Sequence, residues 1–156
     1  MIRLNLGAGN QPYEGFTGID WTGWAMDVQH DLRDPLPYAD DTVDDIYASH
    51  VVEHFPLWQI PAILRDWYRV LKPKTGLFWG IVPDGEPYVR LWQKAVRTKD
   101  WSLKRECLAV FHGGFTNNEY TGIGQVHYAL YDQDLLQETL GQAGFYPVHV
   151  FKQQAG

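Results

Sequence analysis

The sequence has little of three things: cysteine, basic charge and long apolar runs. Cys107 is the single cysteine among 156 residues, which excludes an internal disulfide and predicts a reducing, cytoplasmic compartment. The net charge of −6 makes nucleic acid unlikely as the main partner, because nucleic-acid-binding proteins usually carry a basic patch. No apolar run approaches the roughly 18 residues that a membrane span needs, so no membrane partner is expected.

What is present is an alternation of strand and helix signals over a length typical of one domain, residues 1–156. Apolar, β-branched runs predict strands near 2–6, 16–20, 26–30, 45–50, 76–83 and 145–151. Apolar residues at three- and four-residue steps predict a helix over 57–71. Further helices are predicted over 86–97, 101–111 and 132–142, the last between the N-cap residue Asp132 and the stop signal Gly144. This order favours an α/β fold, a Rossmann-like and mostly parallel sheet with helices on both faces.

Two departures make the predicted fold a truncated one. The segment between the first two strand signals, residues 9–15, is too short for the usual crossover helix. Either one irregular turn connects these strands, or the helix is missing and that face of the sheet is open. In addition, no final antiparallel strand follows residues 145–151, which would leave an exposed edge strand. We therefore expect a second copy of the chain, as a homodimer, to cover that edge.

The most informative local pattern is a glycine loop followed by an acid. The apolar strand at 2–6 runs into Gly7-Ala8-Gly9, and the next strand ends at Asp20. Ligands of open α/β sheets bind outside the carboxyl ends of the strands, where glycines let the backbone approach a ligand closely. A carboxylate there can accept two ribose hydroxyls, so the pair predicts a nucleoside-type cofactor site. The alternatives are that Gly-Ala-Gly is a plain turn and that Asp20 is an ordinary strand-end acid.

The spacing indicates which nucleoside cofactors fit poorly. A dinucleotide fingerprint needs Gly-x-Gly-x-x-Gly and an acid about 20 residues on. Here Pro12 stands at the third glycine position, and Asp20 follows Gly7 by 13 residues. A Walker loop is also missing, because no Gly-Lys-Ser/Thr follows. A cofactor without phosphates fits better, and a dehydrogenase remains only a distant alternative.

Longer segments strengthen one family resemblance. Residues 31–55, DLRDPLPYADDTVDDIYASHVVEHF, combine an Asp-Leu, a Leu-Pro turn, an Asp-x-Val-Asp run and a strand ending near Glu-His. Residues 63–84, ILRDWYRVLKPKTGLFWGIVPD, and 127–151, HYALYDQDLLQETLGQAGFYPVHVF, add a helix–Leu-Lys-Pro–strand unit and an Ala-Gly-Phe segment. In order and spacing these resemble small class I S-adenosylmethionine (SAM) methyltransferases of type 11.

The resemblance implies a cofactor and its ligands. The cofactor would be SAM, with S-adenosylhomocysteine (SAH) as product, and the acceptor a small molecule. Gly7, Ala8 and Gly9 would pass beneath the methionine part, Asp20 would bind the ribose hydroxyls, and Trp21 would lie beside the adenine. The implied adenine and methyl-group contacts are Asp31, Leu32, His50 and Val51. Two of these have local alternatives: Asp31 could cap its own turn, and Trp21 could be a packed aromatic.

A base for an oxygen acceptor would come from His50 or His127. His127 closes a glycine- and asparagine-rich stretch, residues 112–128, whose length and aromatics favour a role at the acceptor. The family's position for an amino-methylating tetrad holds Ser49-His50-Val51-Val52, which disfavours methylation of DNA bases. A non-catalytic SAM- or SAH-binding protein is the main functional alternative.

The run His50-x-x-Glu53-His54 also matches the signature of inverted zinc peptidases. That chemistry needs two histidines presented together by one helix, and Pro56 interrupts the helix here. No third acidic ligand is evident downstream. A zinc hydrolase is therefore a remote alternative, and no metal is expected.

Overall fold

The computed structural model describes residues 1–113 and 126–152, together with the backbone of 115–116 and 119–120. Its parallel strands are β1 (Arg3–Leu6), β2 (Thr17–Asp20), β3 (Val28–Gln29), β4 (Asp45–Ser49) and β5 (Leu77–Ile81). Its helices are α1 (Ile60–Val70), α2 (Gly85–Thr98), α3 (Trp101–His112) and α4 (Gln133–Ala143). A one-turn 3₁₀ helix spans Val52–His54, and β6 (Phe115–Thr116) pairs with β7 (Glu119–Tyr120) in a small antiparallel ladder.

The main sheet has the strand order β3-β2-β1-β4-β5, and all its neighbours are parallel. The predicted α/β, Rossmann-like fold is thus confirmed. The order in which strands are added reverses at β1: β2 and β3 lie on one side of it, and β4 and β5 lie on the other. The carboxyl ends of β1, β2 and β4 therefore lie side by side. Ligands of such sheets bind at this point.

One face of the sheet carries the core. Leu4, Ile19 and Ile46 are fully buried on it, and the apolar stripe of α1 packs against them. Trp67 of α1 contacts Phe78 of β5 with ring centroids 5.9 Å apart, and α4 contributes Leu140 and Ala143 to the same core.

The opposite face is open in the described part of the chain. Residues 7–16, between β1 and β2, form turns and a loop with no helix. In place of a helix, Tyr13 of this loop lies over Tyr47, at 5.0 Å between ring centroids, and Trp79, at 5.8 Å. Trp79 is 41% exposed. Of the two outcomes that the short crossover allows, the described residues show a missing helix and an open face.

Helices α2 and α3 form a hairpin that packs chiefly on itself. Each begins at an aspartate that accepts a backbone N–H bond, from Glu86 to Asp84 and from Leu103 to Asp100. The hairpin buries Ala95 and Cys107 completely. Burial raises the pKa of the Cys107 thiol, so this lone cysteine is a packing residue.

The predicted strand at 145–151 is wrong. Phe145 turns into the core against Phe78, with ring centroids 5.0 Å apart, and Pro147 has no N–H to donate to a ladder. The segment instead runs past α4, where Gln137 donates to the Val148 carbonyl at 3.3 Å. The homodimer expected at this edge therefore has no strand to cover there. Among the described helices, none combines the length and apolarity that crossing a membrane requires.

Candidate cofactor and active site

The glycine loop lies at the carboxyl end of β1 and is fixed by backbone bonds to β2. The N–H of Gly7 donates to the Ile19 carbonyl at 2.8 Å, and the side chain of Asn5 donates to the Gln11 carbonyl at 3.1 Å. Gly7 and Gly9 have φ of 69° and 50°, in the left-handed region that favours glycine. Two glycines at these positions are what the tight turn requires.

Asp20 at the end of β2 holds the glycine loop. Its Oδ2 accepts the N–H of Gly9 at 2.7 Å, while Oδ1 accepts the N–H groups of Trp21 at 2.7 Å and Thr22 at 3.3 Å. A carboxylate has about four acceptor positions, so these three bonds leave capacity for a hydroxyl donor. The predicted pairing of Asp20 with the glycine loop is thus present, and the acid is already oriented by the backbone.

The space around the loop tests whether a nucleoside fits. A Cβ added at Gly9 would meet only Asp20 Oδ2 and the Gly7 carbonyl, both at 4.0 Å, so the surface beside the carboxylate is open. The other sides are closed: a Cβ at Gly7 would lie 2.4 Å from Val51 Cγ2, and one at Gly23 2.0 Å from the Gly9 carbonyl oxygen. An open cradle bordered by one carboxylate suits a ribose and its hydroxyls.

Trp21 follows Asp20 directly and is 57% exposed. Its carbonyl accepts the side-chain N–H of Gln29 at 3.1 Å, which fixes the backbone beside β3. The indole is therefore a solvent-facing ring next to the acid, and it is not part of the core.

Asp31 is engaged by its own turn. Its carboxylate accepts Arg33 Nε at 2.9 Å and 3.1 Å and the Arg33 backbone N–H at 3.0 Å. These bonds to Arg33 hold the pKa of Asp31 below its usual value. The neighbouring Leu32 is buried with the core. An adenine amino group would have to share Asp31 with the guanidinium.

The Asp31–Arg33 pair gives a direct prediction. Replacing Arg33 with glutamine should raise the pKa of Asp31 toward the ordinary aspartate value, measured by NMR titration of the side-chain carboxyl. A carboxylate whose pKa is lowered by folding stabilises the fold above its unfolded pKa, and this stabilisation disappears as pH falls through the lowered value. The variant should therefore be less stable than the wild type near neutral pH, and this difference in stability should disappear on acidification. Arg65→Gln, at an exposed position elsewhere, is the control and should leave the pKa of Asp31 unchanged. An equal shift in both variants would contradict the assignment.

His50 lies where β4 ends and has an unusual backbone. Its φ is 55°, and its N–H donates to the Ile81 carbonyl at 2.8 Å. A left-handed non-glycine residue is uncommon and is often found at a functional site. Its side chain is 56% exposed, and its Nδ1 lies 3.1 Å from Oε1 of the buried Glu53. The bond to Glu53 raises the pKa of His50.

His127, the second candidate base, lies in a different pair. Its ring contacts that of His54, with centroids 4.9 Å apart, and its Nδ1 bonds the Val110 carbonyl at 2.7 Å. His50 and His127 are both near Glu53: His50 bonds it directly, and one ligand atom of His127 lies within 4.8 Å of its carboxylate. Residues 114, 117–118 and 121–125 of the predicted acceptor stretch lie outside the described residues.

The zinc-peptidase interpretation of His50, Glu53 and His54 is not supported by the geometry. The helix after β4 has only the three residues 52–54, and His50 precedes it with a left-handed backbone. His50 bonds Glu53 directly, and the described residues hold no three-ligand group that contains His50. Both histidines are therefore not presented together as that motif requires.

Two contributors escaped sequence reasoning. Gly23 and Ala25 come back over the glycine loop, with the N–H of Ala25 bonded to the Gly9 carbonyl at 3.1 Å. Gly23 carried no distinguishing signal, because a glycine between tryptophans reads as an ordinary turn. Only tertiary packing shows what it approaches.

Residues 13–79 match a family model described as a methyltransferase domain (Methyltransf_11). The matched residues include Asp20, Asp31 and His50, whereas Gly7 and Gly9 of the glycine loop precede the match. A comparison with curated proteins finds no match.

Solved structures share the methyltransferase fold at low identity. A chain of the complex of Haloferax volcanii Trm112, a methyltransferase activator, with a protein described as a methyltransferase matches at 16% identity and a TM-score of 0.54. A protein from Bacillus halodurans C-125 described as a methyltransferase matches at 15% and 0.52, and YcgJ from Bacillus subtilis at 16% and 0.50. The matches cover 92%, 92% and 90% of this chain, but 60%, 58% and 60% of those chains. This chain therefore spans about three fifths of their length.

Proposed function

We propose that this chain is a SAM-dependent methyltransferase that transfers a methyl group to a small-molecule acceptor. Methyltransferases of this family use SAM. The observation that carries the proposal is the bond between Asp20 Oδ2 and the N–H of Gly9, which joins the acid of β2 to the glycine loop of β1 at the strand-order reversal. Through this bond, the remaining acceptor position of the Asp20 carboxylate lies next to the open space at Gly9.

The residues divide the work of binding and positioning. SAM would supply an electrophilic methyl group on a sulfonium. Asp20 would accept a ribose hydroxyl at its remaining acceptor position, and the exposed Trp21 ring would face the adenine. Val51, buried against Gly7, would close the floor beside the methionine part. Fixing the donor in this way lets an acceptor attack in line, and positioning of this kind removes much of the barrier.

His50 is the group placed best to take a proton. It is half exposed at the end of β4, and the bond to Glu53 both orients its ring and raises its pKa. With Nδ1 turned to Glu53, Nε2 is the nitrogen left to meet an acceptor hydroxyl. A histidine base near neutral pH suits an oxygen acceptor, whereas a nitrogen acceptor would need orientation more than a base.

The test is calorimetric titration with SAH of the wild type and of Asp20→Asn. We expect micromolar binding to the wild type, and a loss of about tenfold or more in the variant. A hydrogen bond to a charged group contributes about 1.5–3 kcal/mol, or about 10- to 100-fold in affinity.

Asp27→Asn is the matched control. Asp27 also bonds a strand N–H, that of Gly18 at 2.7 Å, so it reports the cost of disturbing the backbone alone. Circular dichroism establishes that each protein is folded. Absence of SAH binding to folded wild type, or an equal loss in both variants, would overturn the proposal.

A further inference from the structure

Three side chains converge at the 3₁₀ helix, and of these the proposed methyl transfer uses only Glu53, which orients His50. Glu53 and His54 belong to the 3₁₀ helix, and His127 comes from the segment before α4, more than seventy residues later. One ligand atom from each of the three lies within 4.8 Å of the others. No sequence pattern joins them, since His127 reaches the group only through the fold.

The carboxylate of Glu53 is the centre of this group. It is fully buried, and its Oε1 is paired with His50 while Oε2 has no hydrogen-bond partner among the described residues. A buried, unpartnered carboxylate oxygen is costly, because its hydration is lost and nothing replaces it. Such an atom needs a ligand, a proton or a cation.

Both histidines are held as metal ligands usually are. Nδ1 of His54 bonds the Val126 carbonyl at 3.0 Å, and Nδ1 of His127 bonds the Val110 carbonyl at 2.7 Å. A carbonyl makes Nδ1 the protonated nitrogen, so Nε2 keeps its lone pair. Ligating histidines almost always donate their other N–H to a carbonyl or carboxylate, which fixes ring and tautomer.

The backbone around the group is also tied together. The N–H groups of Tyr128 and Ala129 donate to the Glu53 carbonyl at 2.8 Å and 3.2 Å. The hydroxyl of Tyr131 is buried without a partner, and burial followed by the charge of Glu53 raises its pKa, so it stays protonated. The group thus offers one carboxylate, two imidazoles and a rigid frame.

We propose that Glu53, His54 and His127 bind one divalent transition-metal ion, of which Zn²⁺ is the representative. Two imidazoles and a carboxylate are a donor set that suits Zn²⁺ and its neighbours in the series. Three protein ligands leave a coordination position for water. The ion would pin the segment 126–131 to the end of β4 and neutralise Oε2 of Glu53. This site shares Glu53 and His54 with the hydrolase motif considered above, but its third ligand is His127 and not His50.

The experiment uses tag-free protein stripped with a chelator and titrated with Zn²⁺ against a chromophoric competitor. We expect one equivalent to bind the wild type, and affinity to fall about tenfold or more in His54→Ala and in His127→Ala. His149→Ala, which removes a histidine outside the group, should bind as the wild type does. Zn²⁺ should raise the melting temperature of the wild type and of His149→Ala, but not of the two ligand variants.

Glu53→Gln separates the metal from a purely structural role. It keeps the shape and one acceptor oxygen but removes the charge, so Zn²⁺ affinity should fall although the variant folds. Binding of Co²⁺ should give visible d–d absorption in the wild type that His127→Ala lacks. Substoichiometric binding to the wild type, or equal affinity in the ligand variants and the control, would overturn the proposal. These readouts do not depend on SAH, so failure here leaves the methyltransferase proposal standing.

Discussion

Gly7→Ala is expected to lower the free energy of unfolding by about 2–5 kcal/mol and to weaken SAH binding at the same time. The left-handed backbone, with φ of 69°, costs a non-glycine residue about 1–2 kcal/mol. The new Cβ would also stand 2.4 Å from Val51 Cγ2, and overpacking of this kind costs about 1–3 kcal/mol. Chemical denaturation and the calorimetric titration measure the two effects.

Gly15→Ala is the matched control for the backbone cost. Its φ is 80°, but nothing lies within 4 Å of an added Cβ, so only the left-handed cost should remain. Val51→Ala in the Gly7→Ala background should recover part of the loss, with a coupling energy of about 0.5–3 kcal/mol in the cycle. Equal destabilisation by Gly7→Ala and Gly15→Ala would show that Val51 does not crowd the loop.

Trp67→Ala should destabilise the fold by about 3–5 kcal/mol, the usual cost of emptying a large aromatic site. Trp67 is 1% exposed, and its ring lies 5.9 Å from that of Phe78 and 6.3 Å from that of Phe55. It therefore joins α1 to β5 and to the end of the 3₁₀ helix. Since domains have about 5–15 kcal/mol of stability, this one change could leave the chain largely unfolded at 37 °C. Thermal and urea unfolding followed by circular dichroism measure it.

Trp67→Phe distinguishes lost volume from lost polarity. The Trp67 Nε1 is buried with no hydrogen-bond partner among the described residues, so phenylalanine removes an unsatisfied donor while keeping a ring. It should cost much less than alanine does. If the two variants were equally destabilised, the packing of Trp67 on Phe78 and Phe55 would not be what holds α1 to the sheet.

Local patterns predicted most of the fold because local physics determines those parts. The helices α1 and α4 have an apolar stripe and clear stop signals, Pro73 and Gly144, and both were predicted. The strand predicted at 145–151 is wrong although the segment does carry the apolar alternation typical of a strand. What it lacks is a strand neighbour, and Phe145 gains more by entering the core against Phe78. Tertiary packing of this kind is not visible in a window of ten residues.

The site divides in the same way. Gly7, Gly9 and Asp20 could be expected to lie together because glycine freedom and a strand-end acid are local signals, and their juxtaposition follows from adjacent parallel strands. For Asp31, one of the alternatives from the sequence was that it caps its own turn, and its bonds to Arg33 are of that local kind. By contrast, the meeting of His127 with Glu53 and His54 depends on how the segment after α3 returns to β4. Sequence spacing contains no information about that return.

The position of β5 has a consequence for the protein in concentrated solution. It is the last strand of the described sheet, so one row of its N–H and C=O groups meets no further strand there. Residues 77–82, Leu-Phe-Trp-Gly-Ile-Val, are apolar, uncharged and free of proline, and Leu77 and Ile81 are 61% and 44% exposed. Segments of this composition at an unpaired edge readily add a strand from another molecule. We therefore expect concentrated protein to aggregate through β5 while its core remains folded. A charged residue in place of Leu77 should oppose this pairing of edge strands.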